Sequence, residues 1–303
     1  DRQSIKDFED KLEDNLYKLW NRMSSGSYFP PAVRGVDIPK KSGKMRRLGI
    51  PTVSDRVAQG AVAKLLEPLL EPIFHANSFG YRPGRSAHDA IEITRKRCFL
   101  YDWVVEFDIV GMFDNIPHDL IMKALKHHTE DKLICLYVDR WLNAAMLTPE
   151  GVEKVRARGV PQGGVISPLL MNLFMHYAFD LWVTRTFPSN PWCRYADDGL
   201  IHCSNETEGE KILSSLKNRM SECGLELHPE KSQLVYCADG FRKRDPKDRA
   251  KKFTFLGFDF EARNAKSRRT GRVFRSFQPG VSLAAIRAMK YRIKHVWRVA
   301  YRT

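Results

Sequence analysis

Three acids in two segments of the chain are of the type that metal-dependent phosphoryl transfer requires. Asp108 follows the apolar run Val104-Val105-Glu106-Phe107, and the pair Asp197-Asp198 precedes Gly199. A carboxylate at the end of an apolar strand is costly to desolvate unless a partner compensates its charge. Two Mg²⁺ ions about 3.5–4 Å apart hold attacking and leaving groups in line, and each needs only one or two protein carboxylates besides water and phosphates. The pattern therefore predicts a two-metal site built from Asp108 and Asp197.

A structural explanation of the same residues stays open at this point. Asp and Gly are preferred in turns, so Asp197-Asp198-Gly199 is also a favourable turn sequence. Asp108 can equally serve as a cap at the end of a strand. The three acids alone do not distinguish a catalytic site from a turn.

The distribution of basic residues points to a partner rich in phosphate. The net charge is +14, and residues 242–303 contain nineteen Lys or Arg against four Asp or Glu, so the remaining chain is close to neutral. A second basic cluster lies near the N-terminus and consists of Arg34, Lys40, Lys41, Lys44, Arg46, Arg47 and Arg56. Concentrated basic patches favour nucleic acid as a partner, although a basic surface can also serve solubility.

Composition narrows the class of protein further. With 303 residues, 43% of them hydrophobic, the chain is expected to bury a core as one large domain or two smaller ones. It has no apolar run of about 20 residues, so we expect no membrane partner. The six cysteines are scattered without a C-x-x-C pair, which argues against zinc and favours reduced thiols. We therefore expect a cytoplasmic protein, either bacterial or from an organellar matrix.

The elements that must position the acids follow from hydrophobic periodicity. Near the acids we predict strands at 103–109, 193–196 and 200–203, helices at 118–128 and 168–187, and a loop at 159–164. Elsewhere we predict helices at 5–23, 55–70, 208–223 and from 282 onward, a basic hairpin at 33–38 and 46–50, and extended segments at 233–237 and 253–260. The pattern predicts an α+β fold with antiparallel strands and helices behind one face.

Seven ordered blocks resemble the reverse transcriptases of group II introns across almost the whole chain. The blocks are Ile38-Pro39-Lys40 with residues 46–52, residues 78–83, Phe107-Asp108 with Phe113-Asp114, residues 159–164 with Ser167-Pro168-Leu169-Leu170 and Asn172, Tyr195-Ala196-Asp197-Asp198, Gly224-Leu225-Glu226-Leu227 with Lys231-Ser232, and Phe255-Leu256-Gly257-Phe258. The resemblance implies a right-hand polymerase fold with an antiparallel palm sheet backed by helices and a helical and hairpin fingers subdomain. It places fingers at 1–100, palm at 101–278 with part of the fingers inserted around 119–160, and a thumb-like basic helix beginning at 279–303, so that the thumb is absent or only begun.

The resemblance also implies roles for individual residues. Asp108 and Asp197 would hold two Mg²⁺ ions, for which Mn²⁺ can substitute, with help from the Ile109 carbonyl and with Asp198 as a supporting carboxylate. Phe113 would lie beneath the incoming sugar and exclude a 2′-hydroxyl, unless it is simply a core side chain. The other residues implied to bind nucleotide are Arg34, Lys40, Arg46, Gln162, Gly163 and Lys231. Those implied to bind primer or template are Phe255, Leu256, Gly257, Arg268, Arg269, Arg272 and Arg275.

The implied function is RNA-directed DNA polymerisation on group II intron RNA, from a DNA or RNA primer and dNTPs, with RNA binding that supports splicing and retromobility. Three alternatives stay open: an RNA-binding splicing cofactor without chemistry, a two-metal nuclease, and a retron or diversity-generating type of reverse transcriptase. The intact acids and Gln162 argue against the cofactor alone, and a nuclease leaves Gln162 without a role. The sequence leaves open whether the chain forms a homodimer.

Overall fold

The chain folds into two compact units. The computed structural model describes residues 3–39, 45–148, 150–242, 246, 248–267 and 269–297. The first unit combines Asp1–His75, Val110–Trp182 and Arg219–Glu226, and the second combines Ala76–Ile109, Val183–Asn218 and Leu227–Thr303. The fingers, palm and thumb boundaries stay predictions.

Eleven helices lie within the described residues. They are α1 (Ile5–Glu9), α2 (Leu12–Ser24), α3 (Val53–Leu70), α4 (Ala87–Leu100), α5 (Met112–Asn115), α6 (His118–His128), α7 (Lys132–Asn143), α8 (Ser167–Met175), α9 (Leu181–Thr186), α10 (Glu206–Glu222) and α11 (Leu283–Arg292). A short 3-10 helix follows α3, one π-helical turn joins α8 to α9, and another follows α11. None of these helices combines the length and apolar character needed to cross a membrane.

Eleven strands form three sheets in the same described ranges. They are β1 (Val33–Pro39), β2 (Met45–Ile50), β3 (Trp103–Asp108), β4 (Met146–Leu147), β5 (Glu153–Lys154), β6 (Trp192–Tyr195), β7 (Asp198–Cys203), β8 (Gln233–Tyr236), β9 (Lys252–Phe255), β10 (Phe258–Lys266) and β11 (Val273–Val281).

The first unit contains the predicted basic hairpin in a mixed sheet of order β2-β1-β4-β5. Strands β1 and β2 pair antiparallel, while β1 and β4 pair parallel. Across the hairpin, Arg47 donates from Nε and Nη2 to the two carboxylate oxygens of Asp37, each at 2.8 Å. This forked contact gives one member of the N-terminal basic cluster, Arg47, an acidic partner within the protein.

A buried carboxylate ties several elements of the first unit together. Asp55 accepts hydrogen bonds from Tyr28 Oη (2.9 Å), Trp141 Nε1 (2.7 Å) and Gln59 Nε2 (2.9 Å). Burial raises the pKa of Asp55, and these three donors oppose the rise. Gln59 Oε1 in turn accepts from the Ile166 backbone N–H at 3.3 Å. The network therefore links α3 and α7 to the residue that precedes α8.

The second unit confirms the predicted antiparallel sheet backed by a helix. Its main sheet has the order β6-β7-β3-β8 with every pair antiparallel, and β9, β10 and β11 form a second antiparallel sheet. Helix α4 packs against β6 and β11. Aromatic side chains fill the core, where the Phe253 and Phe260 rings stack at 4.7 Å with Phe255 and Phe277 buried in the same cluster.

The helix predicted at 5–23 is wrong as a single element, because the chain forms α1 and α2 instead. Ser4 and Asp7 make a reciprocal capping box that begins α1, and Lys11 leaves helical geometry at φ −132° and ψ 45°. The break lets Phe8 and Leu19 enter the core while Leu12, between them, stays exposed. Apolar spacing alone did not reveal the break, since the pattern passes through it without a Gly or Pro.

The extended segment predicted at 253–260 is also corrected, to a tight hairpin. Phe255 at the end of β9 pairs with Phe258 at the start of β10, so only Leu256 and Gly257 form the loop. Both have positive φ, 50° and 84°. Positive φ at both loop residues is the geometry of a type I′ hairpin, whose twist matches that of the flanking strands. The sequence did not predict this turn because Leu rarely adopts positive φ.

Candidate active site

The acid pair lies at a two-residue hairpin turn of the second unit. Tyr195 in β6 pairs with Asp198 in β7, which leaves Ala196 and Asp197 as the loop. Ala196 has φ +58°, a conformation that costs energy for any residue with a Cβ. Because strained backbone persists only where surrounding contacts determine it, the neighbours of this turn should hold it in place.

Arg194 and the segment at 78–80 supply those contacts. The Arg194 side chain is fully buried, and it donates to the Ala196 carbonyl at 3.1 Å and to Ser78 Oγ at 2.9 Å. A Cβ on Gly80 would lie 2.5 Å from the Ala196 nitrogen, so this position requires glycine. Sequence reasoning did not assign a role to Arg194. The segment at 78–80, known there only from the resemblance, proves to be the support of the turn.

The Phe107 ring requires a glycine at position 199, directly after the acid pair. Gly199 in β7 lies directly opposite Phe107 in β3, and a Cβ on Gly199 would come within 2.2 Å of the Phe107 ring. The ring therefore covers the glycine across the strands. This close approach aligns β3 with β7 and so determines which residues meet at the end of the sheet.

The alignment brings two carboxylates together. Asp108, the last residue of β3, pairs with Asp198, the first residue of β7. Like charges directly opposite each other destabilise a sheet. Burial, together with Asp197 and Asp108, raises the pKa of Asp198. The three acids predicted from sequence are thus brought into one electrostatic cluster.

Lys231 supplies a cation to this cluster. Its Nζ lies 2.9 Å from Asp108 Oδ2, and its side chain is 59% exposed against 16% for Asp108. Burial alone would lower the pKa of Lys231, but the ion pair with Asp108 and the nearby Asp198 and Asp197 outweigh it, and the pKa is raised. The resemblance implied nucleotide binding for Lys231, and the structure additionally makes it a counter-ion of Asp108.

Glu106 is an acidic neighbour that sequence reasoning missed. It lies two residues before Asp108, so the two side chains share one face of β3. Gln233 Nε2 donates to Glu106 Oε2 at 2.8 Å, and the Thr254 backbone N–H donates to Oε1 at 3.3 Å. Burial raises the pKa of Glu106, with Asp108 contributing to the rise. The alternation of acids at positions 106 and 108 was the available signal.

The cluster fits a divalent cation. Burial is the main cause of the raised pKa values of Asp198 and Glu106; neighbouring carboxylates add to the rise and Lys231 opposes it. In the described ranges, no group of three His, Cys, Asp or Glu side chains is already arranged as a complete metal-binding set.

Several residues predicted to bind nucleotide lie together in the first unit. Arg46 in β2 donates from Nε to Gln162 Oε1, and Gln162 Nε2 donates to Asp114 Oδ2 at 3.0 Å. Gly163 has φ +134°, and a Cβ there would lie 2.7 Å from the Gly49 carbonyl oxygen. The Gln162-Gly163 loop is therefore packed against β2.

The other predicted nucleotide residues differ in their surroundings. Phe113, on α5, is 7% exposed, so its ring is buried like that of a core residue. Arg34 is exposed on β1, where it pairs with Ile50. Lys40 lies outside the described residues.

The predicted primer and template residues divide into buried and exposed groups. Phe255 is 2% exposed and belongs to the core of the second unit, so a side-chain contact from Phe255 to nucleic acid is unfavourable. Leu256 and Gly257 at the hairpin turn are partly exposed. Arg269 and Arg272 are exposed in the turn between β10 and β11, and Arg275 is exposed on β11. Arg268 lies outside the described residues.

An antiparallel sheet that carries acids at the end of one strand and at an adjacent hairpin turn defines the palm of a right-hand polymerase. The family model for reverse transcriptase (RNA-dependent DNA polymerase) matches residues 38–260. The chain belongs to the reverse transcriptase family. The predictions of α+β right-hand fold and RNA-directed DNA polymerase are therefore confirmed, and members of this family generally use divalent metal ions.

Two proteins and one solved structure are similar to this chain. The chain is 31% identical to protein YkfC of Escherichia coli K12, over 76% of this chain and 70% of that protein. It is 38% identical to the group II intron-encoded protein LtrA of Lactococcus lactis subsp. cremoris, over 54% of this chain but only 27% of LtrA. A telomerase structure from Candida albicans superposes with a TM-score of 0.62 at 12% identity, over 84% of this chain and 48% of that one. The telomerase comparison supports the fold alone, while LtrA supports the predicted group II intron resemblance.

Proposed function

We propose that this chain extends a primer by copying group II intron RNA, with dNTPs as substrates and two Mg²⁺ ions as cofactors. The observation that carries the proposal is the meeting of Asp108 and Asp198 across β3 and β7, beside Asp197. A fold alone would not need two carboxylates at opposed positions, since their repulsion is a cost. Such a cost is retained where the charge serves a bound cation.

The metal ligands in this proposal are Asp108 and Asp197, with the Ile109 carbonyl, and Asp198 acts as a supporting carboxylate. When bound, the ions neutralise charge on the phosphates and lower the pKa of the attacking hydroxyl. Lys231 holds Asp108 by an ion pair at 2.9 Å. A lysine carries a proton at neutral pH, and in this proposal Lys231 donates it to the leaving pyrophosphate.

The incoming dNTP is proposed to contact Arg34, Lys40, Arg46, Gln162 and Gly163, with Phe113 excluding a 2′-hydroxyl. Two observations support part of this set. Arg46 is exposed with its guanidinium held by Gln162, which leaves other N–H groups to reach a phosphate. The close approach of Gly163 to the Gly49 carbonyl leaves no room for a side chain at that position.

The RNA partner is proposed to run over the exposed arginines of the β10–β11 hairpin, with the primer end contacting the Leu256-Gly257 turn. Arg269, Arg272 and Arg275 are exposed within a stretch of seven residues. LtrA is by name a group II intron-encoded protein, which supports intron RNA as the template and a contribution to splicing.

The free cysteines support a reducing compartment such as the bacterial cytoplasm or an organellar matrix.

Primer extension tests the proposal directly. The purified chain is incubated with an RNA template, a labelled DNA primer and dNTPs, with Mg²⁺ or with EDTA. Extension that requires both template and Mg²⁺ is the expected result. Shortening of either strand without extension would instead support the two-metal nuclease, and RNA binding without any covalent change would support a splicing cofactor.

A further inference from the structure

Asp114 has no role in the function proposed above, yet it contacts a residue that has one. It lies on α5, directly after Phe113, and its Oδ2 accepts a hydrogen bond from Gln162 Nε2 at 3.0 Å. The other end of the same amide, Oε1, accepts from Arg46 Nε. We propose that Asp114 is a positioning residue that orients Gln162 and, through it, the Arg46 guanidinium. This inference rests on the proposed function only in assigning Arg46 to the nucleotide.

The chemistry of the three groups permits one orientation of the amide. An ionised carboxylate only accepts hydrogen bonds, a guanidinium only donates them, and a glutamine side chain has one end of each kind. With Asp114 ionised, the NH₂ end of Gln162 faces Asp114 and the oxygen end faces Arg46. The reverse orientation would place oxygen against oxygen and N–H against N–H. Asp114 therefore determines which end of Gln162 is offered to Arg46.

Backbone hydrogen bonds fix the three segments that these side chains connect. Val160 N donates to the Phe113 carbonyl at 2.6 Å, and Gly49 N donates to the Gln162 carbonyl at 3.1 Å. The close packing of Gly163 on Gly49 adds to this. Since the backbone is held independently, loss of the Asp114 carboxylate should free the side chains of Gln162 and Arg46 without unfolding the loop.

The expected effect is modest, because Asp114 and Arg46 are exposed and Gln162 is half-buried. Loss of one such hydrogen bond corresponds to a change of roughly three- to tenfold in an equilibrium constant. Arg46 is proposed to hold the triphosphate in ground state and transition state alike, so the change should appear in the KM for dNTP rather than in kcat.

The first test is a double-mutant cycle on single-nucleotide extension. Asp114→Asn keeps the shape of the side chain but adds a donor, so both orientations of Gln162 become acceptable. We expect Asp114→Asn to raise the KM for dNTP about three- to tenfold with kcat near wild type, and to add little in an Arg46→Ala background. The matched control is Asp119→Asn, which neutralises an exposed carboxylate on α6 of the same unit. Independent, multiplying effects of Asp114→Asn and Arg46→Ala, or a KM for Asp114→Asn equal to that of the control, would overturn the inference.

A second measurement does not depend on activity. In ¹⁵N-labelled protein, hydrogen exchange at Arg46 Nε is expected to be slow in wild type and in Asp119→Asn but faster in Asp114→Asn. Equal exchange rates in all three proteins would refute the relay. If wild type fails to extend a primer, the proposed function fails while this comparison still decides the role of Asp114.

Discussion

Lys231 Nζ and Asp108 Oδ2 form an ion pair at 2.9 Å in the middle of the acidic cluster. Asp108 is the residue that the proposed mechanism needs as a metal ligand, so the ammonium neutralises a charge that a divalent cation would otherwise neutralise. The ammonium also offsets part of the repulsion that Asp108 exerts on Asp198 across the two strands. Asp198 and Asp197 lie outside this ion pair, and these are the carboxylates whose charge a divalent cation would neutralise.

The acidic cluster should weaken the metal-free protein at high pH. The pKa of Asp198 is raised above its ordinary value of 3.8, so its favourable contribution to stability is complete below pH 3.8 and is lost as pH rises through the raised value. Asp198→Asn removes the repulsion at high pH. In EDTA we expect its Tm to exceed that of wild type at pH 8, and the difference to shrink toward pH 5.

Differential scanning fluorimetry across this pH range measures the effect. Asp119→Asn, at an exposed position, serves as the control and should show no comparable trend. A Tm difference for Asp198→Asn that stays constant with pH would mean that ionisation of the Asp198 carboxylate does not destabilise the protein.

Phe113→Val should increase incorporation of ribonucleotides relative to deoxyribonucleotides. The expected cause is steric, since a smaller side chain leaves room for a 2′-hydroxyl. Because Phe113 is buried, the substitution will also destabilise the first unit and lower both rates. The informative quantity is therefore the ratio of kcat/KM for dNTP to kcat/KM for the matching rNTP. An unchanged ratio would show that Phe113 serves only the core.

Loss of a catalytic acid should leave RNA binding intact, whereas loss of basic residues in the C-terminal region should weaken it. An Asp197→Asn protein is expected to keep binding structured RNA, and even six phosphate contacts give a slope of log K against log salt of about −4 to −5. Replacing Arg268, Arg269, Arg272 and Arg275 together by Gln should flatten that slope by about three.

The control for this experiment changes basic residues elsewhere in the chain. Lys211→Gln/Lys217→Gln neutralises two exposed lysines of α10 and should leave the slope close to that of the parent. A parental slope in the arginine variant would mean that the β10–β11 hairpin is a solvated surface and that RNA binds elsewhere.

Sequence reasoning located the acids but not the contacts that hold them. Asp108, Asp197 and Asp198 were found because acids at strand ends and in turns are visible as residue types. Arg194 was missed because a buried arginine is rare and because its hydrogen bond to Ser78 joins residues more than a hundred positions apart. The ion pair of Lys231 with Asp108 was not predicted for a similar reason, since Asp108 lies more than a hundred residues earlier in the chain.

Helices were predicted best where the hydrophobic periodicity and the helix-breaking residues mark the same boundaries. The helix predicted at 118–128 has those bounds as α6, and the predicted helix at 168–187 is present as α8, a π-helical turn and α9. Helices α4, α5 and α7 were not predicted. Helix α4 alternates charged and apolar residues without a clear stripe, and its start is specified by a capping box of Ser86 and Asp89. Helix α4 packs against β6 and β11, contacts that a local sequence pattern does not contain.

The central claim is that Asp108 and Asp197 hold the catalytic metals, and primer extension by their Asn variants tests it most directly. Each substitution keeps the size of the side chain and removes one charge, while circular dichroism verifies the fold. We predict that Asp108→Asn and Asp197→Asn both abolish extension on an RNA template in Mg²⁺, that Asp198→Asn is milder, and that the control Asp119→Asn extends like wild type. Near-wild-type extension by either Asp108→Asn or Asp197→Asn would contradict the assignment of the active site.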